Sequence, residues 1–167
     1  DVALGVGEMS ATPAQLARQM RRAPLPYLAG TVSPADRSVR WPAARVVRRQ
    51  WGDVRLAVLS YLPRESLLFA PAETVEALAF QFDADFAAQA AVLRSEGCVV
   101  IVVCQGDDET AEKLASWCPA DVIVRGRTSR SLPAVRSAAG GARIVQAGGW
   151  DVVGALAMRI EGGKLTQ

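Results

Sequence analysis

The run Cys98-Val99-Val100-Ile101-Val102-Val103-Cys104 is the longest apolar stretch of the chain, and it narrows the fold more than any other feature. Seven residues fall far short of the roughly 18 to 20 apolar residues that a membrane-spanning helix needs. A strand solvated on one side alternates apolar and polar residues, whereas this run does not, which is the signature of a central strand covered on both faces. The chain must therefore build a sheet with further layers on it. With 167 residues and 17.7 kDa it has the length of one domain, and a chain of that size buries about 70% of its unfolded surface. Half of its residues are hydrophobic and 22% are charged, the composition of a globular protein rather than a disordered one.

Caps and breakers order the remaining elements. Residues 2–6 read as a short strand. Thr12-Pro13-Ala14-Gln15 then supplies an N-cap, a proline at the first helical position and a capping-box glutamine. This helix runs to about Arg22 with Leu16 and Met20 on one face, and Pro24 and Pro26 end it before an extended segment at 27–32. Residues 43–51 and 54–61 predict a hairpin across Gly52-Asp53, with Leu56-Ala57-Val58-Leu59 buried on both faces. Residues 63–82 carry no regular pattern. Asp83 is placed to cap a helix reaching Glu96, with Phe86, Ala90 and Leu93 on one stripe and Gly97 as its stop. After the central strand come Gln105-Gly106-Asp107-Asp108, a helix at 109–117 and a strand at 121–124. Residues 125–142 read as a polar, glycine-rich loop, 142–147 and 152–160 as strands, and Gly162-Gly163 as a terminal turn. No internal repeat, low-complexity tract or linker breaks this order. Strands alternating with helices and finishing in strand pairs predict a layered α/β domain.

The chain contains no histidine. That removes the commonest general base, the commonest metal ligand and every Ser-His or Cys-His nucleophile pair. Ser10, Ser60 and Ser129 have no such base, and no Gly-x-Ser-x-Gly elbow exists; a Ser-Lys device would need Lys113 or Lys164, neither of which lies in a motif. Cys98, Cys104 and Cys118 match no zinc, Cys-x-x-Cys or haem spacing and read as buried small hydrophobes, the alternative being one disulfide and one free thiol. Nineteen basic against 17 acidic residues give a net charge of +2, and with the basic residues read as scattered, nucleic-acid binding gains no support. Trp41, Trp51, Trp117 and Trp150, with Tyr27 and Tyr61, lie on separate elements and read as core and edge packing rather than a stacking platform. Asp107-Asp108-Glu109 sits at a helix start, where acids meet the dipole favourably; a hard-cation site is the alternative. Arg125, Arg127 and Arg130, interleaved with Thr128, Ser129 and Ser131, form a candidate anion loop, against the simpler reading of a solvated polar loop.

Several separated segments, in order, resemble the metallophosphoesterase (calcineurin-like phosphoesterase) domain of the 5′-nucleotidase family. Gly5-Val6-Gly7-Glu8 follows a strand as that family's Gly-Asn-His-Glu does, and an extended segment ends in Ala29-Gly30-Thr31-Val32. The hairpin around Gly52-Asp53 matches the family's next one. Val103-Cys104-Gln105-Gly106 matches a buried strand ending in a Ser-His-x-Gly-like turn. Asp121-Val122-Ile123-Val124-Arg125-Gly126-Arg127-Thr128-Ser129 resembles Asp-Val-Ile-x-Gly-His-x-His, and Ile144-Val145-Gln146-Ala147-Gly148 a Val-Gln-Ala-Gly strand end, with Gly154 in the strand after it.

The resemblance implies a partial α/β/β/α layered sandwich lacking its first strands, with residues 1–167 forming a single degenerate domain, the C-terminal part of a larger domain or precursor. It also implies lost chemistry. Val6 stands for the bridging Asn and Gly7 for the transition-state His, while Glu8 alone is kept; Gln105 stands for one metal His, and Arg127 and Ser129 for the paired metal His residues. Val, Gly and Arg are no metal ligands, and a permanently charged guanidinium repels a cation. The expectation is a catalytically inactive, 5′-nucleotidase-like module with a structural or protein-interaction role, no cofactor and no transmembrane segment. Another polypeptide, an upstream fragment or a different subunit, is expected to cover an exposed sheet edge. The alternatives are a metal-dependent phosphoesterase whose missing ligands come from another segment, and anion or nucleotide binding by the loop 125–130. The family's usual setting implies a periplasmic or exported protein.

Overall fold

The structure is a computed structural model and describes residues 2–126, 134–146, 157–161 and 164–165. In chain order the strands are β1 (Val2–Ala3), β2 (Tyr27–Leu28), β3 (Val32–Pro34), β4 (Val46–Trp51), β5 (Val54–Tyr61) and β6 (Leu78–Phe80). They continue with β7 (Cys98–Cys104), β8 (Val122–Arg125), β9 (Ala134–Ser137), β10 (Arg143–Gln146), β11 (Ile160–Glu161) and β12 (Lys164–Leu165). The helices are α1 (Pro13–Arg22), α2 (Ala72–Glu76), α3 (Asp83–Ser95) and α4 (Asp108–Trp117).

The apolar run becomes β7, an interior strand of a six-stranded sheet ordered β4-β5-β7-β8-β10-β9. Strands β5, β7, β8 and β10 are parallel, and the edge strands β4 and β9 are antiparallel to their neighbours. Ala57, Val100, Ile123 and Ile144 lie on one face, buried with Phe86, Ala90 and Leu93 of α3 and Leu114 of α4. The opposite face carries Val99 and Val122, also buried, and Val58, Ile101, Val103 and Val124, half-buried. Leu56-Ala57-Val58-Leu59 is therefore covered fully on the helix face and only partly on the other, because β5 lies next to an edge strand. That edge, β4, exposes Arg48, Arg49 and Gln50, charged and polar groups that discourage further strand pairing.

A second apolar cluster gathers Leu4, Met9, Leu16, Met20, Leu62 and Leu78 around α1 and the two short pairs β1-β2 and β3-β6. It is fastened to the sheet at the end of β5. The Thr31 hydroxyl donates to the Leu62 carbonyl at 3.2 Å and accepts from the Leu62 N–H at 2.9 Å. Gly30 passes so close to the Ser60 carbonyl that a Cβ there would collide with backbone, so only glycine fits.

The capping signals at α1 are all realised: Thr12 accepts from the Gln15 N–H, Gln15 accepts from the Thr12 N–H, and Pro13 opens the helix. Gly97, at φ +76°, ends the turn after α3. The hairpin turns through Gly52, at φ +57°. Four expectations need correction. The strand expected at 2–6 stops at Ala3, and Val6–Ser10 is a 3₁₀ turn. Asp83 lies inside α3 with Phe82 in the cap position, and its carboxylate instead accepts the Tyr61 hydroxyl at 2.9 Å. Residues 63–82 contain a 3₁₀ turn (Arg64–Leu67), α2 and β6, elements too short for periodicity to reveal. The segment 125–142 contains β9, whose pairing with β10 is a long-range choice. Most of the strand expected at 152–160 lies outside the described residues.

All three cysteines are free and buried. Burial pushes the Cys104 thiol up to about 11 and the Cys118 thiol up to about 12, so neither is a thiolate at neutral pH.

Phe86 is fully buried between Tyr61 and Trp117, with ring centroids 5.4 and 6.3 Å away. Phe86→Ala should cost about 3–5 kcal/mol in urea unfolding followed by circular dichroism. Phe82→Ala, at an exposed position, should stay within about 0.5 kcal/mol of the parent. Similar losses from both would show that the aromatic cluster is not the anchor between α3 and the sheet.

Candidate functional site

Three of the segments singled out in sequence meet in space at the carboxyl ends of β7 and β8. Gln105 follows β7 and is the point where they converge. An ideal Cβ placed on Gly5 would lie 3.2 Å from its Oε1, and one placed on Gly126 would lie 3.0 Å from its Nε2. The Gln105 carboxamide thus fills the gap between the turn after β1 and the chain leaving β8. Its backbone is fixed as well: the N–H donates to the Tyr61 carbonyl at 2.9 Å, and the carbonyl accepts the Ser66 hydroxyl at 3.0 Å. Gly126 donates its N–H to the Cys104 carbonyl at 2.9 Å. Ser66 lies in the segment read as irregular, and nothing in its local sequence signals this contact.

Glu8 has a local task. Its Oε2 accepts the Gly5 N–H at 3.0 Å and closes the Val6–Ser10 turn as a capping-box carboxylate does. Val6 packs against the second apolar cluster. Gly7 is exposed, and a Cβ there would meet nothing within 4 Å. Among the described residues the site therefore offers one carboxamide, one carboxylate already engaged with the backbone, and open space at Gly7.

Arg125, at the end of β8, is 7% exposed and is the one member of the candidate anion loop among the described residues. Its register partner is Cys104, whose side chain belongs to the helix-covered core, so Arg125 faces α4. Its Nη1 lies 3.1 Å from Asp108, which Arg136 of β9 also contacts at 2.9 Å, and Arg136 reaches Glu112 too. In this structure Arg125 takes part in an ion-pair cluster that fastens β8 and β9 to α4. Arg127, Thr128, Ser129 and Arg130 lie outside the described residues.

The acids after β7 are likewise in structural use. Asp107 caps α4 by accepting the Thr110 N–H at 2.9 Å, which holds its carboxyl below the usual carboxylate range. Glu109 pairs with Lys113 one turn on, at 2.8 Å. Among the described residues no three His, Cys, Asp or Glu side chains are grouped as a metal site requires. Trp117 joins the core aromatics, Trp51 is exposed, Trp41 is half-buried and Trp150 lies outside the described residues, so the described tryptophans form no common platform.

This architecture has relatives among solved structures. Over 89% of its length the chain superposes on the NAD nucleotidase NadN of Haemophilus influenzae, with a TM-score of 0.69 and 17% identity. The 5′-nucleotidase precursor of Thermus thermophilus gives 0.67 and 18% over 89% of the chain. The sulfate thiohydrolase SoxB of Thermus thermophilus gives 0.70 and 17% over 86%. The fold is that of the metallophosphoesterases. The chain spans only 33%, 32% and 27% of those three proteins. No protein-family model matches the sequence, and no curated protein matches it. At such identities the likeness establishes the fold alone.

Glu8→Ala should lower stability by about 1 kcal/mol by leaving the Gly5 N–H without its acceptor, whereas Glu8→Gln, which keeps an acceptor, should cost less than half as much. Chemical unfolding of both variants measures this. Equal damage from the two would mean that the charge, and not the cap, is what the site needs.

Proposed function

We infer that this chain is a catalytically inactive module of a 5′-nucleotidase-like, metallophosphoesterase-fold protein, with a structural or protein-interaction role. One observation carries the reading: where the Gly5–Glu8 turn, β7 and β8 converge, the side chains at hand are the Gln105 carboxamide and a Glu8 carboxylate committed to the Gly5 N–H. A two-metal centre needs several anionic or imidazole ligands to offset two cations a few ångströms apart. The described residues do not fit such a centre.

The interaction role draws on exposed apolar groups beside the same place. Ser66 ties the Arg64–Leu67 turn to Gln105, and the next two residues, Leu68 and Phe69, are 81% and 88% exposed. On the far edge of the sheet, β9 exposes Val135. Apolar side chains displayed at an open strand edge and a turn tip suit contact with another polypeptide. The precursor status of the Thermus thermophilus 5′-nucleotidase supports an exported setting for this chain. Because the chain spans a third or less of its structural relatives, a second reading stands as the competing outcome: ligands from another segment restore a phosphoesterase.

Elemental analysis for manganese, zinc and iron, with a nucleoside monophosphate hydrolysis assay, separates the two. The inactive module should carry well under one metal ion per chain and release no phosphate above buffer. Two bound ions per chain together with hydrolysis would overturn the reading. Sedimentation velocity of the purified chain tests the interaction role, which predicts a mass above that of the monomer; an ideal monomer at every concentration, alone and with its native co-purifying proteins, counts against it.

A further inference from the structure

Four arginines of the six-stranded sheet and the helices on it have acidic partners. Arg48 lies 2.5 Å from Glu96, Arg94 2.9 Å from Asp121, and Arg125 and Arg136 share Asp108. Residues 11–50 hold eight arginines, Arg48 among them, and a single carboxylate, Asp36. Asp36 is turned to Ser38, accepting its N–H and its hydroxyl, both at 2.8 Å. Among the described residues Arg18, Arg21 and Arg40 make no ion pair. The basic residues that read as scattered in the linear sequence are thus concentrated here.

The fold gathers these three. A cavity of about 430 Å³ lies between α1 and residues 38–40, lined by Arg18, Arg21 and Arg40 with Ala14, Ala17 and Ser38. Among the described residues no acidic side chain lines it. Positions 14, 17, 18 and 21 recur at helical spacing and form one stripe of α1, whose two alanines leave room that the two arginines overhang. The arrangement is pinned, since Arg21 Nη1 donates to the Arg40 carbonyl at 3.0 Å. That bond ties the segment carrying Arg40 to the helix carrying Arg18 and Arg21, so that the three exposed arginines line the same cavity. Guanidinium groups present forked donors matched to phosphate oxygens and remain charged at every accessible pH. The Ser38 hydroxyl is already donated to Asp36, so recognition falls to the arginines.

We propose that the cavity between α1 and residues 38–40 binds a phosphate group carrying two or more negative charges, with Arg18, Arg21 and Arg40 as its donors. Its volume exceeds that of a lone phosphate and suits a diphosphate or the phosphorylated head of a small molecule. The site shares no residue with the Gln105 cluster and does not depend on whether that cluster is active.

The test titrates inorganic pyrophosphate calorimetrically into the chain and into two double variants, Arg18→Gln with Arg40→Gln, and Arg22→Gln with Arg37→Gln as a charge-matched control away from the cavity. Arg21 is left in place because it holds the 38–40 segment. Sedimentation with phosphatidylglycerol or phosphatidylcholine vesicles runs in parallel. One-to-one pyrophosphate binding, weakened about tenfold or more in the first variant and unchanged in the control, supports the site and assigns it to soluble ligands. Sedimentation with phosphatidylglycerol alone, lost in the first variant and without pyrophosphate binding, supports it and assigns it to a lipid headgroup. Absence of both, or equal loss in the two double variants, overturns it. If the first variant fails to fold by circular dichroism, Arg18→Gln alone, at an exposed position, carries the same test.

Discussion

The structure depends on the burial of β7. Its backbone is paired on both sides, with β5 and with β8, and its side chains alternate between a face sealed by α3 and α4 and a face that is only partly covered. Val100, Val102 and Cys104 on the sealed face are fully inaccessible. Burying aliphatic side chains of that size contributes about 1.5–3 kcal/mol each, and no other strand concentrates so many. The helices on that face are placed by what they cover: Phe86, Ala90 and Leu93 of α3 and Ala111, Leu114 and Ala115 of α4 recur at helical spacing because each must meet the sheet. Once β7 is fixed, the carboxyl ends of β5, β7 and β8 come to one side, and Gln105 and Gly126 meet there with the turn after β1.

Charge is divided between the two halves of the molecule in a way the net value hides. Around the sheet, arginines act as fasteners: Arg94 to Asp121 joins α3 to the chain entering β8, and Arg125 and Arg136 through Asp108 join β8 and β9 to α4. Around α1, Arg18 and Arg21 form no ion pair among the described residues and line a cavity with Arg40. The first set is explained by the fold alone. The second set is the one to which the proposed phosphate site is assigned.

The loops that converge at the carboxyl ends of β7 and β8 are held together by a few specific contacts. Glu8 satisfies the Gly5 N–H, the Gln105 carboxamide packs between two glycines, and Ser66 anchors the Gln105 carbonyl. Such contacts fix the geometry of the converging loops.

By itself the sequence determined the elements whose physics is local. The capping box of α1, the hairpin across Gly52, the stripe of α3 and the covered strand β7 follow from caps, turns and periodicity within a few residues. The absence of histidine bounded the chemistry just as directly, since it is a property of composition. Tertiary structure alone decided the rest. The pairing of β9 with β10, the capture of Asp83 by Tyr61 instead of by its own helix, and the turning of Arg125 towards Asp108 all depend on partners distant in sequence. The cavity of Arg18, Arg21 and Arg40 is the clearest instance. A window count of charge exposes the excess, but helical spacing and the fold of residues 38–40 bring three arginines around one cavity, and no short-range rule encodes that approach.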